Sequence, residues 1–558
     1  MYRIIFLLTG LLQLAQSQEP IVSENGMVVS TTKYASEIGV SILKKGGNAI
    51  DAACAVGFAL AVTSPSNGNI GGGGFMVTYL ADGTTFTLDY REKAPAAAYR
   101  NMFLDDNGEV IKDMSITTRA SSGTPGSVDG LLKAWEIYGS GNISLRELIT
   151  PSIMLAERGF KLSLYEAQKL NAFKELFSKN EAAAKIFIRS DNKEWEKGDR
   201  LIQRDLGKTL KRIARYGREG FYSGKTADLI VSEMNKGLGL ISYQDLTEYD
   251  SKFRKPVKGS FNEYEIISMG PPSSGGTILI EMLNMLELFS LNKMMWNSSE
   301  YIHLLTEVQR RAYADRAEHL GDTDFWNAPI DILLSKSYAK NRIKDFSSEK
   351  ASISTQIFAG EPYSYESSET THYSVVDKYG NSVSVTTTIN LDYGSGIVVD
   401  GAGFFLNNEM DDFSSKPGVP NSFGLVGNEA NSIEAGKRPL SSMTPTIVLK
   451  NQKPFLILGS PGGSRIITSV LQVFLNITMH NMSIKEAVSL PRVHSQWLPD
   501  AIYVEENSLN NDAKDLLIDK GHTILPYMNI GNVNAILING SIYTGYGDPR
   551  TENIASGY

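Results

Sequence analysis

Two adjacent threonines, Thr370 and Thr371, follow a polar stretch, Ser364–Glu369, and open a run of alternating residues. An internal threonine hydroxyl is a weak nucleophile because no group beside it removes its proton. A threonine at the start of a chain differs, since its own α-amine has a pKa of about 7.7–8.0 and can act as a general base. Exposed polar segments are common sites of chain cleavage. The sequence therefore suggests that a cut before Thr370 creates a nucleophile for acyl transfer.

The residues after Thr370 alternate in polarity, turn at Lys378–Asn381 and alternate again, which predicts a β-hairpin. With the turn centred in the middle of that segment, Thr371 lies opposite Thr388, and Thr370 lies beside Asn390. A hydroxyl and a carboxamide would then return to the start of the first strand. Threonine pairs also stabilise sheets, so this pattern alone leaves a purely structural role open.

Two further stretches could complete an acyl-transfer site. Gly462 and Gly463 lie in GSPGGS, and their backbone N–H groups could stabilise a tetrahedral oxyanion. Arg91, in TLDYREKAP, could bind a carboxylate through two parallel hydrogen bonds. A glycine turn and a surface ion pair are the plainer alternatives for these residues.

Two polar stretches offer partners for a charged ligand. RPLSSMTPT supplies Ser441 and Ser442 as hydrogen-bond donors. NNEMDDFS supplies Glu409 and Asp412 as acceptors for an ammonium group. A loop and a solvated acidic patch account for the same residues equally simply, so these assignments depend on the stretches coming together.

Other kinds of site lack a sequence motif. GFYSGKT resembles a phosphate-binding loop, but Glu219 occupies the position of its first glycine. GNIGGGGF precedes a strand-like run and not the helix that a dinucleotide site requires. The chain has no G-x-S-x-G motif, and its six histidines have no metal-ligand spacing. The sequence therefore favours neither a nucleotide site, nor a zinc site, nor a serine–histidine hydrolase.

The elements that would position these residues mix helices and strands irregularly. Helical spacing over residues 35–63 is followed by a predicted hairpin around Asp82-Gly83. Residues 120–350 are mainly helical in pattern, and SSEYIHLLTEVQRRAYADRAEHLGD is the clearest amphipathic helix. From about Thr371 onward strand patterns dominate, with helices near 464–480 and 510–520. This order favours a layered α/β or α+β fold over a regular parallel sheet.

Composition is that of an ordinary globular protein. The 558 residues are 42% hydrophobic and 21% charged, with a net charge of −8, and no long basic run suggests nucleic acid as a partner. The length fits several domains or one large unit. Cys54, the single cysteine, lies in an apolar helical pattern, which predicts a buried thiol and excludes an internal disulfide.

The N-terminus reads as a secretory signal peptide. Arg3 precedes an apolar stretch, Ile4–Ala15, and Ala15-Gln16-Ser17 has small residues where signal peptidase cuts. A membrane-spanning helix needs about 20 apolar residues, so a cleaved signal over 1–17 is favoured over an anchor. We therefore expect an exported protein, either periplasmic or secreted.

Together these stretches give the chain a close resemblance to the gamma-glutamyltranspeptidase (glutathione hydrolase) family of N-terminal nucleophile hydrolases. The similar segments run from about residue 25 to the end in the family's order. They are GNAIDAACAVGFALAVTSPSNGNIGGGGF, LDYREKAP, AYADRAEHLGD, TTHYSVVDKYGNSVSVT, NNEMDDFS, RPLSSMTPTIV, GSPGGSRIIT and the C-terminal YGDPR with Gly557-Tyr558.

The resemblance implies a fold and a maturation step. The fold would be α+β, a four-layer αββα sandwich of the N-terminal nucleophile hydrolase type. The precursor would cut itself between Glu369 and Thr370. A large subunit, 18–369, and a small subunit, 370–558, would then stay associated.

The resemblance also implies a role for each candidate residue, with neither metal nor organic cofactor. Thr370 would be the nucleophile and Thr388 its hydrogen-bond partner. The α-amino group of the substrate would be held by Asn390, Glu409 and Asp412. Its α-carboxylate would be held by Arg91, Ser441 and Ser442, and the oxyanion by Gly462 and Gly463. Phe423 stands in a lid segment, Ser414–Asn431, where a tyrosine is usual, so the hydrogen bond of that hydroxyl would be missing.

The activity implied is cleavage of the γ-glutamyl amide of glutathione and related compounds. The acyl group would pass from Thr370 to water or to an amino acid or peptide. One alternative is a cephalosporin acylase of the same superfamily, which cuts a glutaryl amide that lacks the α-amino group. A second is an unprocessed homologue that binds γ-glutamyl peptides without turning them over.

Overall fold

Two seven-stranded antiparallel sheets form the centre of the protein in a computed structural model, which describes residues 19–358, 370–416 and 427–558. The strands are β1 (Ile21–Ser23), β2 (Gly26–Ser30), β3 (Gly73–Tyr79), β4 (Thr85–Asp89), β5 (Phe160–Lys161), β6 (Arg200–Leu201), β7 (Lys252–Arg254), β8 (Val257–Phe261), β9 (Tyr264–Ser268), β10 (Thr371–Asp377), β11 (Ser382–Thr388), β12 (Thr446–Lys450), β13 (Lys453–Gly459), β14 (Val493–His494), β15 (Ile502–Val504), β16 (Ile524–Pro526), β17 (Asn534–Asn539), β18 (Ile542–Gly547) and β19 (Ile554–Gly557). The first sheet has the order β1-β18-β17-β13-β12-β9-β8, and the second has the order β19-β2-β10-β11-β3-β4-β7.

Helices cover the outer faces of these sheets and form the connections. They are α1 (Lys33–Lys44), α2 (Ala49–Thr63), α3 (Met114–Thr117), α4 (Ser127–Tyr138), α5 (Leu145–Arg158), α6 (Leu164–Ala172), α7 (Lys174–Ser178), α8 (Glu181–Phe187), α9 (Arg204–Tyr216), α10 (Glu219–Tyr222), α11 (Gly224–Met234), α12 (Tyr243–Glu248), α13 (Gly275–Leu286), α14 (Ser299–His319), α15 (Ile330–Leu333), α16 (Lys336–Arg342), α17 (Arg465–Thr478), α18 (Ile484–Ser489) and α19 (Asn511–Asp519). Within the described residues, no helix is both long enough and apolar enough to cross a membrane.

Alternating side chains build the layers. Met27 and Val29 of β2 pack between the two sheets with Ile447 of β12. Val28 points the other way and joins the cluster that contains α2, whereas Val448 joins the cluster of α13, α14 and α17. This alternation is what the two-residue period of a strand produces when both of its faces are buried. The layers are therefore helix, sheet, sheet and helix, and the predicted αββα sandwich of α+β class is confirmed.

The hairpin of β10 and β11 differs by one residue from the predicted register. Thr371 lies opposite Thr387, not Thr388. The reason is a three-residue loop, in which Gly380 has a φ of 88° and the Asp377 side chain accepts a hydrogen bond from the Asn381 backbone N–H at 3.1 Å. Such loops with a left-handed glycine are the next most common hairpin connection after two-residue turns. Extending this register by one residue brings Thr370 opposite Thr388.

Helix α14 forms where the sequence predicts it but is not amphipathic. Its N-cap is Ser298, whose hydroxyl accepts a hydrogen bond from the Tyr301 backbone N–H at 3.3 Å. Every residue from Tyr301 to Ala317 is buried, including Arg310. Arg310 and Arg311 are both paired with the buried carboxylate of Glu307, so periodic charge here does not mark a solvent-exposed face. Strands β7 to β9 likewise interrupt the region expected to be mainly helical.

Cys54 lies fully buried in α2, as predicted. Its thiol donates a hydrogen bond to the Leu131 carbonyl over 3.1 Å, and burial raises its pKa well above the ordinary value. The thiol is therefore an inert part of the core. The predicted signal peptide, residues 1–17, lies outside the described residues.

Candidate active site

Thr370 lies where two cavities meet, at the start of β10. We call them the inner and the outer cavity. The inner cavity has a volume of about 20 Å³. Its wall contains nine of the ten residues predicted to act in catalysis or substrate binding, together with Arg316 and the apolar residues Leu440, Met443 and Ile466: Arg91, Thr370, Thr388, Asn390, Glu409, Asp412, Ser441, Ser442 and Gly463. The fold thus brings together residues that are up to 372 positions apart in the chain, from Arg91 to Gly463.

The outer cavity has a volume of about 120 Å³ and also contains Thr370 in its wall. Gly462, the tenth predicted residue, lies in its wall. The wall is polar, with two cationic side chains and many hydroxyl and carboxamide groups: Thr31, Ser64, Ser66, Asn67, Tyr165, Lys169, Thr370, Thr371, Pro461, Gly462, Asn529, Gly531, Asn532, Arg550 and Thr551.

The end of β11 shapes one wall of the inner cavity. Asn390 has a φ of 74°, a left-handed conformation that asparagine tolerates better than most residues. This bend lets the Asn390 backbone N–H donate a hydrogen bond to the Thr388 hydroxyl at 2.8 Å. The Asn390 side-chain nitrogen donates to the Asn408 carbonyl at 2.9 Å, while its Oδ1 is buried and receives no hydrogen bond from the described residues. A buried acceptor without a donor is costly unless a ligand supplies one.

A buried ion-pair cluster fills the charged end of the inner cavity. Arg91 is fully buried and donates hydrogen bonds to Glu409 Oε1 and to Asp412 Oδ2. The carboxylate of Glu92 lies 3.7 Å from the Arg91 guanidinium. Glu409 Oε2 is buried and accepts no hydrogen bond from the described residues. The predicted carboxylate-binding arginine is therefore paired with the acids predicted to hold an ammonium group.

Burial perturbs every charge in this cluster. It raises the pKa of Glu409 well above the usual range, and it raises the pKa of Asp412 and brings that of Glu92 to about 7. Burial alone would lower the pKa of Arg91, but the neighbouring carboxylates reverse this effect and raise it overall. Strongly perturbed groups in a cavity are typical of a functional site.

Gly462 and Gly463 form the turn between β13 and α17. Their φ angles are 133° and 55°, so both occupy backbone conformations that favour glycine. The backbone N–H groups of Arg465 and Ile466 donate to the carbonyls of Gly462 and Gly463, over 3.0 and 3.2 Å respectively. Neither glycine N–H donates a hydrogen bond within the described part of the chain. Two uncommitted N–H groups at the start of a helix are suited to an oxyanion.

The serine pair is supported by a residue that the sequence reasoning did not single out. Arg316 of α14 donates hydrogen bonds to Ser442 Oγ at 3.1 Å and to Ser274 Oγ at 2.8 Å. Ser274 donates in turn to the Ser441 carbonyl at 2.7 Å. Burial lowers the pKa of Arg316 to about 10. No described carboxylate forms an ion pair with Arg316, so the inner cavity contains a second cation that the acids of the cluster do not pair.

Histidines contribute no base to Thr370. Burial lowers the pKa of His372 to about 3, and its ring nitrogens lie 2.9 Å from Thr386 Oγ and 3.1 Å from Ser374 Oγ. A group of such low basicity is a poor general base near neutral pH. The remaining local base in the predicted mechanism is the α-amine that a cut before Thr370 would create.

One group of side chains has the composition of a metal site but makes hydrogen bonds instead. His303, Glu307 and His522 lie close together and buried. His303 Nδ1 and His522 Nε2 are 2.7 Å apart, the separation of a direct hydrogen bond, and Glu307 accepts from Arg311 at 2.6 Å. None of the three histidine and glutamate side chains lines the inner or the outer cavity.

Two predicted residues and most of the predicted lid cannot be placed in this geometry. Glu369, before the expected cut, and Phe423, in the expected lid, lie outside the described residues. The charged residues that the sequence analysis missed include Arg316 and Glu92, the first in the inner cavity wall and the second beside Arg91, and Lys169 in the outer cavity wall. The first two stand in quoted segments, AYADRAEHLGD and LDYREKAP, but no periodicity separates a buried arginine or glutamate from an exposed one.

Known proteins resemble the chain over almost its whole length. The model of the gamma-glutamyltranspeptidase family matches residues 35–558. A glutathione hydrolase proenzyme of Escherichia coli (strain K12) is 44% identical, covering 97% of this chain and 93% of the relative. A chain of the Helicobacter pylori gamma-glutamyltranspeptidase crystal structure is 45% identical with a TM-score of 0.58, covering 59% of this chain and 94% of that one. The crystal structure of a cephalosporin acylase from Bacillus halodurans has a TM-score of 0.84 over 97% of both chains at 23% identity, a likeness of fold alone.

Proposed function

Because the chain belongs to the gamma-glutamyltranspeptidase family, we propose that it is a self-processing enzyme that transfers the γ-glutamyl group of glutathione and related compounds. The acceptor is water, an amino acid or a peptide. The observation that carries this proposal is the inner cavity, where Thr370 shares one wall with the buried cation Arg91 and the acids Glu409 and Asp412. A γ-glutamyl group bears an ammonium, a carboxylate and a scissile amide, and this cavity offers a partner for each.

Maturation comes first. Thr370 Oγ attacks the carbonyl carbon of Glu369, the amide C–N bond breaks, and an ester forms while the α-amine of Thr370 is released. Water then hydrolyses the ester, which leaves a carboxylate on Glu369 and an N-terminal Thr370. The products are the chains 18–369 and 370–558, which stay together as one heterodimer.

Donor binding exchanges internal ion pairs for contacts with the donor. Arg91 is paired with both Glu409 and Asp412. A γ-glutamyl α-carboxylate would take the Arg91 fork with help from Ser441 and Ser442. The α-ammonium would take Glu409, Asp412 and the buried Asn390 Oδ1, which has no described donor. Two charged contacts then fix the donor, and orientation of this kind lowers the barrier to reaction.

Acyl transfer follows from the same geometry. The α-amine of Thr370 accepts the hydroxyl proton as Oγ attacks the γ-carbonyl, and the N–H groups of Gly462 and Gly463 stabilise the oxyanion. The amide bond breaks, its nitrogen takes the proton, and cysteinylglycine leaves when the donor is glutathione. Water or an amine then attacks the γ-glutamyl ester and releases Thr370. The scheme uses protein groups throughout and calls on neither a metal nor a cofactor.

Export fits this activity. The segment 1–17 is a signal peptide in our proposal, and the mature heterodimer works in the periplasm or outside the cell. The large and small chains are its constant partners, and γ-glutamyl donors and amine acceptors are its transient ones.

The test is intact mass and N-terminal sequencing of the purified wild type, Thr370→Ala and Thr370→Ser. The proposal expects two chains in the wild type, one beginning Thr-Thr-His-Tyr, an uncut Thr370→Ala, and slower cutting in Thr370→Ser, which keeps a hydroxyl. If the wild type stayed a single uncut chain, Thr370 would have no free α-amine, and this result would favour a binding protein without turnover.

A comparison of substrates distinguishes the proposed function from that of a cephalosporin (glutaryl) acylase. A glutaryl group has no α-ammonium, so it would leave Glu409 and Asn390 Oδ1 without a donor. We therefore expect γ-glutamyl p-nitroanilide to be hydrolysed at least about a hundredfold faster than glutaryl p-nitroanilide, since an unmatched buried charge costs about 3 kcal/mol. Equal rates would favour the acylase.

A further inference from the structure

We propose that Ser460 is a positioning residue for the oxyanion site, and that its hydroxyl fixes the orientation of the peptide group that carries the Gly462 N–H. This inference rests on the function proposed above, in which that N–H stabilises the oxyanion. Ser460 belongs to neither cavity wall, so its effect on the reaction passes through Gly462.

The peptide group between Pro461 and Gly462 could face either of two ways. Its C=O and N–H point in opposite directions, because a trans peptide group is planar. Pro461 fixes only its own φ, and glycine occupies positive φ values, such as the 133° of Gly462, about as readily as negative ones. If this group turned over, the Pro461 carbonyl oxygen would replace the N–H and repel an oxyanion. The site therefore needs a contact that selects one orientation.

The Ser460 hydroxyl makes that contact. Its oxygen accepts a hydrogen bond from the Asn532 backbone N–H at 2.8 Å, and its hydrogen is donated to the Pro461 carbonyl at 2.7 Å. Ser460 is fully buried. While the carbonyl is held, the Gly462 N–H points away from Ser460, and the bond to the carbonyl also makes that N–H a stronger donor. A chain of hydrogen bonds thus runs from Asn532 through Ser460 to the peptide group of Gly462.

The loop that supplies the Asn532 N–H is itself held in place. The Ile530 N–H donates to Glu505 Oε1 at 2.5 Å. The Ile530 carbonyl accepts from Arg492 Nη1 at 2.9 Å and from Ser469 Oγ at 3.2 Å. These three side chains are buried, so water competes little for their hydrogen bonds. The Asn532 N–H therefore reaches Ser460 from a fixed direction.

Gly531 allows this loop to approach the oxyanion turn closely. Its φ is 72°, and a Cβ there would lie 2.2 Å from Ser469 Oγ and 2.8 Å from Ser460 Oγ. Its own Cα lies 3.3 Å from where a Cβ on Gly462 would be. Glycine is the residue that permits such an approach of backbone to backbone. The loop and the turn are thus in direct contact, and the Ser460 hydroxyl is bonded to both.

The experiment compares two ligands of the processed protein that differ at one end. In the first, a boronic acid group replaces the γ-carboxyl group of glutamate. In the second, norvaline, a methyl group replaces it. Thr370 Oγ forms a bond to boron, its proton passes to the α-amine, and the tetrahedral boronate places one hydroxyl at the oxyanion position. Norvaline has the same α-ammonium and α-carboxylate but no oxygen at that position.

Loss of the Ser460 hydroxyl should weaken the tetrahedral adduct alone. We expect Ser460→Ala to raise the Ki of the boronate about tenfold and to lower kcat for γ-glutamyl p-nitroanilide by a similar factor. The Ki of norvaline should change by less than about twofold, because its contacts are those of the ground state. Equal losses for the two ligands, or an unchanged Ki for the boronate, would overturn the inference. Ser460→Cys fills the same space with a weak donor and should show the same difference, so it replaces Ser460→Ala if that variant yields no cut heterodimer.

Ser469→Ala is the matched control. It also removes a buried hydroxyl that contacts the loop, but this hydroxyl does not bond to Pro461, and the Ile530 carbonyl keeps Arg492 as a donor. The Ki of the boronate should stay within about twofold of the wild-type value. A rise as large as that in Ser460→Ala would mean that a general loosening of the loop is responsible, and the inference would fail. If the proposed function itself is wrong, the wild type neither releases glutamate from glutathione nor is inhibited by the boronate.

Discussion

The backbone N–H of Asn390 donates a hydrogen bond to the Thr388 hydroxyl oxygen at 2.8 Å. Since that N–H occupies one lone pair of the oxygen, the hydroxyl hydrogen is directed elsewhere, and the strand register, extended by one residue, brings Thr370 opposite Thr388. The left-handed bend at Asn390 thus constrains the Thr388 hydroxyl, in the cavity wall that Thr388 shares with Thr370.

Removing the Thr388 hydroxyl should slow the chemical step. We expect Thr388→Val to lower kcat for γ-glutamyl p-nitroanilide hydrolysis by about 10- to 100-fold with little change in KM, because in the proposed mechanism the Thr388 hydroxyl is the partner of Thr370 and not of the donor's charges. Steady-state kinetics of the processed protein measure both constants. Thr388→Ser restores the hydroxyl and should recover most of kcat. An increase in KM alone would place Thr388 in ground-state binding instead.

Arg91 should matter to stability as well as to binding. In a Thr370→Ala background, which keeps the protein as one chain, Arg91→Met is expected to lower the free energy of unfolding by about 3 kcal/mol, because it leaves Glu409 and Asp412 buried without their cation. Denaturant titration measures the change. Adding Glu409→Gln should recover part of the loss, since it removes one of the stranded charges. Strictly additive losses would mean that the two residues do not interact.

Glu92 should make stability depend on pH. Burial raises its pKa from 4.5 to about 7. Its proton therefore stabilises the fold fully below about pH 4.5, and this contribution is lost as the pH rises to about 7, at no more than about 1.4 kcal/mol per pH unit. Glu92→Gln carries no such proton. In the Thr370→Ala background, the free energy of unfolding of the Glu92→Gln variant should therefore increase relative to that of Thr370→Ala alone as the pH rises from 5 to 8. A difference that is constant over this range would refute the assignment.

Arg316 should act through Ser442. Arg316→Met is expected to raise the donor KM by about tenfold with a smaller effect on kcat, because Ser442 loses the hydrogen bond that orients it and the cavity loses a positive charge. Kinetics of Arg316→Met, Ser442→Ala and the double variant measure the coupling. In the Ser442→Ala background, Arg316→Met should raise the donor KM by a smaller factor than it does in the wild type. Equal costs would mean that Arg316 acts independently of Ser442.

Sequence reasoning anticipated the fold class, and it picked out nine residues that line the two cavities with Thr370, because each lies in a short motif that can be read from the sequence. It placed the hairpin one residue out of register, since whether two or three residues form the loop depends on the conformation of Gly380. It described α14 as amphipathic because the sequence does not distinguish an arginine that is buried against a carboxylate from one that is exposed to water. It missed Lys169 because only folding brings α6 beside Thr370.

The order of strands has a consequence for the lifetime of the assembly. Strand β2 precedes Thr370 in the chain, yet both of its neighbours in the sheet, β10 and β19, follow it. In the other sheet, β1 and β9 flank a block of four strands that come after Thr370. After a cut, each polypeptide would therefore supply strands whose hydrogen-bonding partners belong to the other. Dilution separates ordinary heterodimers according to their dissociation constant, but these two polypeptides could separate only by unfolding. The uncut precursor is thus the unit that must find the fold, and the cut polypeptides need not find each other again.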